Sequence, residues 1–141
     1  MSPPTTETPS KILLGQLCWS FAARTDYATP EDFGAAVLQY QMDIVQHSNG
    51  WEPDAIILPF CRVRFHWEGL DRQQNDMIDK DNIVESSSSK GFTALDLLYK
   101  VHQIMVEDCR LTDRCFFEGF DYVKGPDKNT GIVEYGVSQG S

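Results

Sequence analysis

The stretch DAIILPFCRVRFHWE, residues 54–68, decides the fold. Ile57, Cys61, Val63, Phe65 and Trp67 share one parity, and Arg62, Arg64, His66 and Glu68 share the other. Successive side chains of a strand point to opposite faces, so the second half reads as a strand with one face on a core and one charged face in water. The first half, Ile56-Ile57-Leu58, is apolar on both faces. Pro59 has no N–H to give to a ladder and marks an edge position or a bulge between the halves.

Towards the N-terminus, Lys11 to Ala23 alternates again, with Leu13, Leu17, Trp19 and Phe21 on one parity and Ile12, Leu14 and Cys18 on the other. Apolar residues on both faces predict a strand interior to a sheet. After a connector, Thr29 supplies an N-cap oxygen, Pro30 suits the first helical position, and Glu31 and Asp32 favour the positive helix end. Phe33, Val37, Tyr40 and Ile44, supported by Val45, form one buried stripe, and Ser48-Asn49-Gly50 ends the helix. Residues 1–10, MSPPTTETPS, read as a disordered lead-in without the basic and apolar regions of an export signal.

Towards the C-terminus, residues 69–91 are rich in Asp, Asn, Gln and Ser and predict a long acidic, Ser-rich loop. Within it Ile78, Ile83 and Val84 are material for a short extra strand or turn. Thr93 at an N-cap, Asp96 at the third helical position and Phe92 set to staple onto Leu97 predict a helix reaching Cys109. Its buried stripe is Ala94, Leu98, Val101 and Met105, with Leu97 and Ile104 beside it. Cys115 to Lys124 reads as a strand with Phe117 and Val123 on one face and Phe116, Phe120 and Tyr122 on the other. Turn residues from Gly125 to Gly131 and the run Ile132 to Val137 complete a hairpin.

The order β-α-β-α-β-β predicts an α+β two-layer sandwich over residues 11–141, a single globular domain. Its mostly antiparallel sheet has about four strands and two helices on one face, with a parallel pair among the first strands left open.

The chain has 141 residues, 41% hydrophobic and 11% aromatic, which suffices for a core, and 21 acids against 12 bases give a net charge of -9. A field of that sign repels phosphate backbones and anionic leaflets, so nucleic acid and membrane are excluded as partners and basic proteins are favoured. Cys18, Cys61, Cys109 and Cys115 are scattered and follow no export signal, so they read as reduced thiols in the cytoplasm, with Cys18 and Cys61 as inert packing.

No CxxC, HxH or HExxH spacing occurs, so no metal and no cofactor is expected. No nucleophile elbow or phosphate-cradling glycine loop occurs either, so no catalytic residue is assigned. The charge, by contrast, is local. Glu68, Asp71, Asp76, Asp79, Asp81 and Glu85 cluster after Trp67, and a second acidic stretch from Ile104 to Asp121 contains Glu118. If the two segments share an end of the sheet, they form an anionic patch flanked by Trp67, Phe116 and Tyr122 as aromatic anchors. Two other readings stand beside this one. One is a small enzyme or ligand-binding domain using His66, Glu68 and Glu118 as acid and base in a pocket. The other is a scaffold or oligomerisation module using an unpaired C-terminal edge strand.

The C-terminal third also carries motifs. Gly91-Phe92-Thr93-Ala94 with Leu97-Leu98-Tyr99-Lys100-Val101-His102, then Cys115-Phe116-Phe117-Glu118-Gly119-Phe120, and the ending Gln139-Gly140-Ser141, together resemble a group of small bacterial proteins. Those carry a G-x-[FY]-T-x-x-[ED]-L-[LM]-[YF]-x-[IV]-H helix, an FFEG strand and a terminal QGS, and they are similar to immunity proteins of polymorphic toxin systems. The resemblance implies a cytoplasmic, non-enzymatic protein that neutralises a cognate, basic toxin domain by docking onto it.

Overall fold

The computed structural model describes residues 9–21, 27–71, 73–109 and 115–140. In chain order the elements are β1 (Ile12–Leu13), β2 (Trp19–Ser20), α1 (Pro30–Ile44), β3 (Ile56–Leu58), β4 (Arg62–Asp71), β5 (Asp76–Glu85), β6 (Phe92–Thr93), α2 (Ala94–Cys109), β7 (Phe116–Lys124) and β8 (Val133–Gly140). The fold is α+β. One mixed sheet of six strands runs from β1 and β2, which share the outer edge of β7, through β8 and β4 to β5. Every pairing in it is antiparallel except that of β4 with β8. β3 and β6 form a separate two-stranded sheet.

The run 54–68 thus divides at Pro59 into strands of two different sheets. In β4 the parity holds: Val63, Phe65 and Trp67 are buried, while Arg64, His66 and Glu68 face the other side. α1 and α2 pack on each other, and both lie on the buried side. Phe33 and Val37 of α1, Leu98, Val101 and Met105 of α2, and Phe117, Phe120, Val133 and Tyr135 of the sheet close the core between the layers.

The sheet is larger than four strands because the stretch expected as a loop at 69–91 holds β5. Arg62 through Asp71 pairs residue for residue with Glu85 through Asp76. Among the described residues of this stretch, only 73–75 and the Ser-rich segment remain irregular. That segment is tied down by Asp96, whose carboxylate accepts from the Ser87 N–H at 2.8 Å and its hydroxyl at 2.9 Å, and by Lys100, which donates to the Glu85 carbonyl.

The strand expected over Lys11–Ala23 is an edge and is broken in two. Leu14 takes a φ of 55°, and the Leu17 N–H turns back to the Leu14 carbonyl. Opposite the break, β7 shifts register between Phe117 and Phe120 around Gly119, whose φ is 107°. A Cβ there would stand 3.0 Å from the Gly15 Cα, so the two irregularities fit one another. The bulge also resets the parity of β7, burying Phe117 and Phe120 together and leaving Val123 exposed, contrary to simple alternation.

β8 lies inside the sheet between β7 and β4, so the C-terminal strand is not an edge. In α1 the N-cap is as expected, the Asp32 N–H donating to Thr29 Oγ1 at 3.1 Å. Ile44, however, is exposed at the helix end, which is capped by Val45 ahead of left-handed Gln46, and Gln41 is buried instead, its amide bonded to the Cys18 backbone. Cys61 is exposed rather than packed away, since it sits on the corner between the two sheets. Residues 1–8 of the expected lead-in and 24–26 of the connector lie outside the described residues. Pro9 is buried, and the Ser10 carbonyl accepts from the Tyr135 hydroxyl at 2.7 Å.

Candidate functional site

The face of the sheet opposite the helices has no described element packed over it. Its composition follows from strand parity. β4 contributes Arg62, Arg64, His66 and Glu68, and β5 sets Glu85, Ile83, Asp81 and Asp79 directly across from them. β8 adds Glu134, opposite Arg64, and β7 adds Asp121, opposite Gly136, and Lys124. Among the described residues, six carboxylates, Glu68, Asp79, Asp81, Glu85, Asp121 and Glu134, therefore stand against three permanent cations.

All three cations are engaged within the face. Arg62 meets Glu85 at 3.5 Å, Arg64 meets Asp81 at 3.1 Å, and Lys124 meets Glu134 at 3.5 Å. His66 Nε2 lies 2.7 Å from Glu134 Oε1, and this hydrogen bond, aided by Lys124, holds the Glu134 carboxyl below its ordinary range. Asp79 and Asp121 have no cation or donor within reach among the described residues. Asp79 also sits directly across from Glu68, a like-charge cross-strand pair.

Of the residues singled out from sequence, Glu68, Asp79, Asp81 and Glu85 come together on this face. Asp71 and Asp76 lie at the hairpin end. There Asp71 accepts from the Gln73 N–H at 3.0 Å, and Asp76 from the Met77 N–H at 2.9 Å. The second acidic stretch divides. Asp108 is buried in the helix layer with Lys80 at 2.5 Å, Asp113 lies outside the described residues, and Glu118 reaches over Gly140 near the β2 edge.

Trp67 and Tyr122 do not serve as surface anchors, because their parity turns them to the core side. Trp67 donates to Asn82 Oδ1 at 2.9 Å beneath Lys80, and Tyr122 packs on Tyr135 and donates to the Gly125 carbonyl. Phe116 alone of the three aromatics is exposed. Apolar surface on the open face comes instead from Ile83, Val123 and Ile12, all exposed.

Asp121, which closes the second acidic stretch, is the member of that stretch that joins this face. Glu134 is not singled out by the sequence; its signal lies in β8, where it alternates with buried Val133 and Tyr135, but the lateral order of strands that brings it beside Arg64 is not local information. The imidazole of His66 bonds Glu134 and not Glu68 or Glu118, and its side chain is 40% exposed on an open sheet. Among the described residues, the cleft that Glu118 lines beside Tyr40 is not lined by His66 or Glu68, so the three do not share it. Among the described residues no three His, Cys, Asp or Glu side chains converge to hold a metal ion. No described helix is long and apolar enough to cross a membrane. No protein-family model, no curated protein and no solved structure matches the chain.

Proposed function

We propose that the chain is a non-enzymatic acidic binding protein of the immunity type, acting in the cytoplasm, that neutralises a basic toxin domain by receiving it on the open face of its sheet. The observation that carries this reading is the electrostatics of that face. Its cations are tied up internally, and among the described residues the carboxylates of Asp79 and Asp121 meet no cation or donor. A cationic partner supplies counter-charges to those carboxylates on binding.

The dimensions are adequate. With strands about 4.8 Å apart and about 3.3 Å per residue, the four strands from β7 to β5 span about 600 Å² of mean plane. A standard-size interface takes roughly 800 Å² from each partner. The outer edge of β5 adds a second element of recognition. It is ten residues long, pairs without a bulge, and leaves one side of its backbone unpaired, which invites a partner strand. Self-pairing along that edge is opposed by Asp76, Asp79, Asp81 and Glu85, the charges with which natural edges avoid aggregation.

The test is protection. When the chain is co-produced with the toxic product of the neighbouring reading frame in its native cell, growth is restored, the two proteins co-purify as a complex, and the partner is basic. D79K/D81K restores neither growth nor complex. Protection that survives the double variant, or a partner that is acidic, contradicts the reading.

A further inference from the structure

On the helix side of the molecule, α1 and the segment 48–54 enclose a cleft of about 380 Å³. Gly34 makes the space. A Cβ there would stand 3.2 Å from Leu95 Cδ1 and 3.9 Å from Trp51 Cζ2. The walls are apolar, from Leu38, Trp51, Pro53 and Leu95. They are also held in place, because the free N–H groups of the first turn of α2 are bonded to the segment, Leu95 to the Pro53 carbonyl at 3.1 Å and Ala94 to the Ala55 carbonyl at 3.0 Å.

Three polar groups at this cleft have no partner among the described residues. Trp51 is 7% exposed, yet its indole N–H meets no acceptor, whereas Trp19 donates to His102 and Trp67 to Asn82. Solvent reaches that N–H, since no buried side-chain nitrogen or oxygen is left unbonded. The carboxylates of Glu31 and Asp54, on the cleft lining, meet neither a cation nor a donor. Among the described residues no Lys, Arg or His lines the cleft, which disfavours an anion. Apolar surface continues outward along α1 through Leu38, 42% exposed, and Met42, 45% exposed.

We propose that this cleft binds an organic cation with an apolar body and a carbonyl acceptor, the chemistry of an amino-acid amide. The body lies on Trp51, Leu38 and Leu95, the ammonium meets Glu31 and Asp54, and the carbonyl accepts from the Trp51 indole N–H. A volume of this size with apolar walls and a few convergent polar groups is characteristic of small-molecule sites. The site is independent of the docking face, since no lining residue belongs to β4, β5, β7 or β8.

The probe is L-phenylalaninamide, titrated into the ¹⁵N-labelled full chain while the three indole N–H resonances are followed. Trp51 is expected to shift saturably, with a dissociation constant on the order of 1 mM for a ligand of this size. Trp19 and Trp67, already bonded, stay in place and report that the fold is intact. N-acetyl-L-phenylalaninate, with the same ring and the opposite charge, leaves Trp51 unmoved. E31Q/D54N weakens binding about tenfold, A35F at the exposed mouth abolishes it, and D79K on the docking face does not change it. A stationary Trp51 resonance, an equal response to the acetylated anion, or undiminished binding by E31Q/D54N overturns the proposal.

Discussion

Two glutamine side chains, Gln41 and Gln139, complete backbone pairing that the strands leave unmade. Gln41 is fully buried; it accepts from the Cys18 N–H at 2.9 Å and donates to the Cys18 carbonyl, bridging the gap between β1 and β2. Gln139 does the same for Glu68, accepting from its N–H at 2.7 Å and donating to its carbonyl at 3.1 Å, beyond the end of the β4–β8 ladder. Gln41→Leu leaves the half-buried Cys18 N–H and carbonyl without these partners and is expected to cost about 1–3 kcal/mol in urea unfolding. Thiol chemistry separates the cysteines. Burial pushes the Cys109 thiol up to about 12, while Cys61 is exposed. Iodoacetamide at pH 8 is expected to modify Cys61 readily and Cys109 only in urea. The same shift fixes a pH dependence. The folded chain keeps a proton that the unfolded chain releases near pH 8.5, so stability falls as pH rises from there towards 12. Burial of the Tyr135 phenol, also raised to about 12, acts in the same direction. A lower urea midpoint at pH 10 than at pH 7 is the expected result.

Among the elements, the helices were the most legible in sequence, because their caps are local chemistry. Thr29 and Thr93 each accept the backbone N–H three residues on, from Asp32 and Asp96, as their spacing announces. β5 was illegible for a physical reason. It is an edge strand with Val84 as its one buried residue, so its order comes from the backbone ladder with β4 and leaves no apolar alternation to read. In β7 the alternation exists but is reset at Gly119. Gly119→Ala forces a side chain into a φ of 107° and against the Leu13 carbonyl at 3.2 Å. It is expected to cost about 1–3 kcal/mol and to shift the amide resonances of β1 and β2 along with those of β7.

For the molecule as a whole, the charge of -9 is organised by the sheet. The charged parity of β4 was readable and supplied Glu68. Asp79 comes beside it through the β4–β5 hairpin, whereas Asp121 and Glu134 depend on a strand order in which β8 inserts between β7 and β4. On this account the like-charge pair of Glu68 and Asp79 is kept for binding. Asp79→Lys replaces it by an opposite-charge pair and is expected to raise the stability of the free protein by about 0.5 kcal/mol, while weakening association with the basic partner. The most direct measurement is the stopped-flow association rate of that partner as a function of ionic strength, for the native chain and for Asp79→Lys. The account expects the native rate to fall steeply with salt, and the variant to be slower at low salt with a shallower slope. Equal rates and equal slopes for the two proteins would contradict it.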